Sequence, residues 1–89
     1  MESTGLNHGD LMELVTVGAV FQAPGKVKPA WFIWNGRKIR IVRTNHVWSE
    51  REGIATLLHF SVSDGADIFH LVLNSETQTW HLEGVHLQN

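Results

Sequence analysis

The clearest pattern in the chain lies on either side of Asn35-Gly36. Trp31-Phe32-Ile33-Trp34 is aromatic and β-branched, and Arg37-Lys38-Ile39-Arg40-Ile41-Val42-Arg43 interleaves basic with aliphatic residues. Asn-Gly between two such runs predicts a type I′ hairpin, because both central residues must take positive φ. That turn pairs Trp34 with Arg37, Ile33 with Lys38, Phe32 with Ile39, Trp31 with Arg40 and Ala30 with Ile41. Opposed residues share a face, and faces alternate along each strand. Ala30, Phe32, Trp34, Ile39 and Ile41 therefore look inward, while Trp31, Ile33, Lys38, Arg40 and Val42 look outward. A slip of one residue would bury Lys38 and Arg40 and is excluded on cost.

The remaining segments also read as strands. Residues 11–22 are rich in valine and contain Gly18, which favours strand over helix. Residues 23–29 hold two prolines and a glycine and predict a loop. A strand end runs through Trp48, followed by a polar loop closing near Gly53. Residues 56–63 resume as strand, Asp64-Gly65 gives a second I′ signal, and 66–73 follow. A turn centred there pairs Phe60 with Phe69 and Leu58 with Leu71 on one face. It sets His59 against His70 and Leu57 against Val72 on the other. Residues 74–78 form a third turn before a last strand at 79–85. A loop centred on Ser75-Glu76 pairs Leu71 with Trp80 and Phe69 with Leu82. Residues 1–10 are polar with two glycines and predict a flexible tail, leaving 11–89 as a single β domain. The expected fold is all-β: a six-stranded antiparallel meander. To bury both Phe60/Phe69 and Phe32/Ile39 it must curl strongly, as a partly open barrel or two short packed sheets.

Composition bounds this picture. Leu, Ile, Val and Phe supply 27 of the 89 residues, enough for one small core. The absence of cysteine excludes a disulfide scaffold, a thiolate nucleophile and any cysteine-ligated zinc finger. No apolar run approaches the roughly 18 residues of a membrane span, so a soluble, cytoplasmic domain without membrane contact is expected. Net charge is only −2, yet all seven basic residues fall within 26–51, which carries +6 against −8 elsewhere. A polarised surface of this kind can steer polyanions. It is also what one exposed hairpin would show if it used Lys and Arg where others use Asp, Glu, Asn and Ser, and the mild overall charge favours that explanation.

The order of residues adds a resemblance. Pro29-x-x-Phe32-x-Trp34-x-Gly36-Arg37-x-x-x-Ile41, followed by Trp48, resembles a small uncharacterised bacterial domain family reading roughly F-x-W-R-G-R-x-Y-x-V. Phe60-x-Val62, Gly65-x-x-x-Phe69-x-Leu71 and Trp80-x-Leu82-Glu83-Gly84-Val85 resemble its second half. A similar W-x-L-E-G-V ending occurs in degenerate relatives of error-prone DNA polymerases. The similarity covers about 29–86, with Ile39 where the family often has Tyr and Asn35 in place of the first Arg of R-G-R. It implies the fold, a bacterial cytoplasmic setting and a link to DNA damage; it brings no established activity.

Three groups of residues carry candidate chemistry. The first is an outward binding surface of Trp31, Ile33, Lys38, Arg40 and Arg43. An exposed indole flanked by cations suits single-stranded nucleic acid, by stacking and phosphate pairing. It also suits a protein partner or second subunit, or an internal cation–π pair. The second is the row His59, His70 and His81, spaced by eleven and placed side by side on three strands. The outer pair would stand about 10 Å apart, wide for one zinc, with only Glu83 near to orient an imidazole. No metal and no other cofactor is therefore expected. The third is negative: there is no G-x-S-x-G, glycine-rich phosphate loop or cysteine, and little concave volume is expected in so small a domain. These readings converge on a non-catalytic interaction or self-association module. The alternative is a single-stranded nucleic-acid-binding accessory domain linked to DNA repair.

Overall fold

A computed structural model describes residues 12–23 and 25–87; the tail expected at 1–10 lies outside them. The described residues are all-β, with eight strands: β1 (Glu13–Leu14), β2 (Thr16–Gln22), β3 (Lys26–Trp34), β4 (Arg37–Arg40), β5 (Arg43–Glu52), β6 (Ala55–Ser63), β7 (Ile68–Asn74) and β8 (Thr79–His86). They form a three-stranded sheet, β2-β3-β4, and a five-stranded sheet, β1-β8-β7-β6-β5, antiparallel throughout. Of the two expected architectures this is the pair of packed sheets; the barrel does not close.

Eight strands replace the expected six because two of them break where the chain passes between sheets. The first breaks at Val15, whose amide donates to the Trp80 carbonyl (3.1 Å) and so stays with β8 before β2 turns to β3. The second breaks at Ile41-Val42: Ile41 N–H still bonds Ala30 in β3, and Val42 N–H already bonds Ser63 in β6 (both 2.9 Å). Two loops are also shorter than expected. β3 begins at Lys26, and Pro29 fits inside it beside a bulge where β2 and β3 shift register between Gly18 and Ala19. β5 runs on to Glu52, paired with Ala55, so the polar stretch after Trp48 is an edge strand rather than a loop.

The β3–β4 hairpin has the predicted register throughout, from Trp34↔Arg37 to Trp31↔Arg40. Asn35 and Gly36 take φ of 53° and 74°, as a type I′ turn requires. Phe32 (0% exposed) and Ile39 point inward onto β6–β8, where Phe60, Val62, Phe69, Leu71 and Leu82 are buried. Phe32 meets Phe69 edge-on at 5.1 Å, and Trp34 covers the same ring at 6.0 Å. Burying each such side chain contributes about 1.5–3 kcal/mol, and the core spans both sheets.

The other two hairpins keep the predicted faces but shift their partners by two residues. Phe60 pairs with Leu71 rather than Phe69, and His59 with Val72 rather than His70. Leu71 pairs with Leu82 rather than Trp80. Each loop holds four residues, against the two expected at Asp64-Gly65 and the five at 74–78. The Asp64 carboxylate accepts the amides of Ala66 and Asp67 at 2.9 and 2.7 Å, and the Asn74 side chain accepts those of Glu76 and Thr77. An Asx side chain placed before the loop thus satisfies amides that a tight turn would have used itself.

Candidate functional site

The outer face of the small sheet carries the residues expected there. Ile33, Lys38 and Arg40 are exposed, while Trp31 is only half-buried. Its indole lies across Gly18 of β2, where a Cβ would fall 2.1 Å from the ring, so only glycine leaves it room. The Lys38 ammonium sits 4.7 Å over the same ring. The internal cation–π pair, worth about 0.5–1 kcal/mol at an exposed site, is therefore formed. Arg43 begins a strand of the other sheet and donates from Nε to Asn45 Oδ1 (3.1 Å).

A denser constellation covers the outer face of the large sheet. Trp48 of β5, His59 of β6, Val72 of β7 and His81 of β8 form one cross-strand row. His70 stands one row away, opposite Ser61 and Gly84. His59 and His70 are thus diagonal neighbours, a separation long side chains can span. Their rings meet: His59 Nδ1 is 2.8 Å from His70 Nε2. Trp48 stacks on His59 with centroids 4.9 Å apart and planes 9° from parallel, and it also touches His46 and His70. Beneath that indole His59 is 5% exposed. Glu50 Oε1 lies 2.6 Å from His59 Nε2, close but out of line for a hydrogen bond.

Glu83 completes the group. β7 and β8 shift register between His70 and Leu71, so Leu82 pairs with Leu71 and Gly84 with His70, leaving Glu83 as the extra residue. A bulge of this kind re-aims a side chain. Ligand-type atoms of His59, His70 and Glu83 consequently lie within 4.8 Å of one another. The expected row of three histidines is corrected: His81 shares a row with His59 but is separated from it by Val72, and it lies outside the group. Burial holds the His70 imidazole below its ordinary range, Glu83 and Glu50 pull it back up, and His59 pushes it further down.

One tautomer fits these contacts. If His59 Nδ1 carried the shared proton, the bare lone pair of its Nε2 would face the Glu50 carboxylate. With His70 Nε2–H donating to His59 Nδ1, the proton of His59 sits on Nε2, toward Glu50. That arrangement is favourable at both ends. Trp48 and Glu50 fell in a segment read as strand end and loop. The usable signal was the alternation His46-x-Trp48-x-Glu50, which puts all three on one face.

Concave volume also exceeds the expectation. Two adjoining grooves of about 570 and 470 Å³ open where β2 and β3 splay from β5 and β6. Val27, Pro29, Val47 and Phe60 line the larger one, with Lys26 and Lys28 at its rim. No family model, curated protein or solved structure matches this chain.

Proposed function

We propose that the chain is a non-catalytic interaction module that joins a second copy of itself through the free edge of β5. The observation that carries this reading is a ten-residue strand at the end of the five-stranded sheet, exposed along nearly its whole length. Val47 is 52% and Trp48 37% exposed on it. Such an edge presents a row of unpaired N–H and C=O groups that another strand can complete. Two-fold antiparallel pairing centred on Trp48 sets His46 of each copy opposite Glu50 of the other. That pairing is self-complementary, an imidazole opposite a carboxylate at both ends, as an isologous interface requires. The non-catalytic part rests on a sequence with no cysteine, G-x-S-x-G or glycine-rich phosphate loop.

Sedimentation across a concentration series from about 5 to 500 µM tests it. The wild type is expected to pass from monomer to dimer. His46→Glu faces carboxylate with carboxylate and should stay monomeric, and adding Glu50→Lys should restore the dimer. A wild type that remains monomeric throughout ends the proposal.

A nucleic-acid reading draws support from the lysines at the groove rim and the confinement of all cations to 26–51. Base stacking on Trp31 would first require lifting Lys38 from the ring. Titration with short oligothymidine decides it: micromolar binding that weakens with salt supports it, and no binding at about 50 mM salt removes it.

A further inference from the structure

We propose that His59, His70 and Glu83 form a binding site for a transition-metal dication of the zinc class, with Glu50 orienting His59 from behind. Three strands, β6, β7 and β8, each contribute one ligand-type atom to a cluster no more than 4.8 Å across. The four-residue β6–β7 loop sets His59 and His70 diagonally rather than directly opposite, and the bulge in β8 leaves Glu83 as the extra residue beside them.

The tautomer argued above prepares His59 as a ligand. With its proton on Nε2, toward Glu50, the lone pair of Nδ1 points at His70 Nε2. A dication there would take the place of the proton between the two rings: His70 loses it from Nε2 to solvent and takes one up at Nδ1, so that both imidazoles ligate as neutral rings. Glu50 would stand behind His59 as carboxylates do behind metal-bound histidines. Tetrahedral coordination at Zn–N of about 2.0–2.1 Å needs nitrogens about 3.3 Å apart. The observed 2.8 Å must open by about half an ångström, which small ring rotations supply.

Charge and ligand type point the same way. Among the described residues no Lys or Arg pairs with Glu50 or Glu83, so two carboxylates flank two imidazoles with no cation between them. His59 Nε2 is also a buried nitrogen without an aligned hydrogen bond. A dication would neutralise the pair of carboxylates. Two imidazoles and one carboxylate suit zinc-class ions, whereas calcium and magnesium favour all-oxygen sites and thiolate-selecting ions find no cysteine. Three protein ligands would leave one position for water.

The test uses the full chain without a polyhistidine tag, stripped of metal and titrated with Co²⁺. The expected result is one Co²⁺ per chain with the visible absorption of a tetrahedral ion, quenching of Trp48 fluorescence, and displacement by Zn²⁺. His70→Gln and Glu83→Gln should each weaken binding at least about tenfold, as should Glu50→Gln. His81→Gln should leave it unchanged, and far-ultraviolet circular dichroism shows that each variant keeps its sheets. Absence of binding at micromolar protein overturns the proposal. So does equal binding by wild type and the His70→Gln/Glu83→Gln pair, or dependence on His81 in place of His70.

Discussion

The β3–β4 and β6–β7 hairpins start from similar dipeptides, Asn35-Gly36 and Asp64-Gly65, and close in different ways. At the first, both residues take positive φ and two residues complete the turn. At the second only Gly65 does so (101°), and the Asp64 side chain gathers the amides of Ala66 and Asp67 around itself. Asn74 does the same for Glu76 and Thr77 ahead of β8. In the tight turn Asn35 lends its backbone; in the wide ones Asp64 and Asn74 lend a side-chain oxygen. The distinction changes more than loop length. A shift of two residues leaves every side chain on its own face, so the core is indifferent to it. It does decide which side chains meet, and on the outer face it brings His70 diagonally against His59.

The contrast can be broken most strongly at Gly36. Gly36→Val forces a β-branched residue to φ near 74° and should cost about 2–3 kcal/mol. Ala66→Val, in the wide loop and exposed, should change stability by less than about 0.5 kcal/mol. Denaturant midpoints measure both, and equal costs would show that the two turns are held alike. Next in size, Asp64→Ala strands two amides and should cost about 1–2 kcal/mol by the same measurement.

A pH series sharpens the point. The Asp67 amide, followed by that of Ala66, holds the Asp64 carboxyl below its ordinary range against an opposing push from burial. A lowered carboxyl pKa stabilises the fold above the unfolded value of about 3.9, and that contribution disappears as pH falls through the folded one. Asp64→Asn should therefore flatten the acid limb of the stability curve, whereas Asn35→Ala should not. A small effect is also expected from deleting Ala66 and Asp67. Ser63 and Ile68 would then flank a two-residue Asp64-Gly65 turn in the register they already have. Stability should move by less than about 1 kcal/mol, and the cross-strand nuclear Overhauser contact between Phe60 and Leu71 should persist. Its replacement by a contact between Phe60 and Phe69 would mean that the four-residue loop itself sets the register.

These turns also explain what could be read from the chain. Alternation around Asn35-Gly36 reveals Phe32 and Ile39 as inward and Trp31 as outward, because one face must exclude Lys38 and Arg40. The same logic gives the inward set Phe60, Phe69, Leu71 and Leu82, since parity survives a shift of two. Strand breaks at Val15 and Ile41-Val42 leave no such trace, because they depend on which neighbour accepts the next amide. β5 beyond Trp48 leaves no strand signal in the sequence, because an edge strand has no apolar period to display. The histidine group was half visible: the face was right, and the partners were not. Of its carboxylates Glu83 is legible beside the histidines, though its place among the ligand atoms depends on the β8 bulge, and Glu50 is evident only with the extended β5 in place.

The seam between β1 and β8 has a consequence for how the molecule is made. Glu13 pairs with Leu82, and Trp34 reaches across to the same glutamate with its Nε1 (3.3 Å). A chain emerging from the ribosome can fold the β3–β4 hairpin early, since all its partners are local. The wall that receives Phe32 is finished only when β8 arrives, so until then the apolar side of the hairpin waits for its other half. Partly folded copies that meet in that state can exchange β8, the error this topology invites.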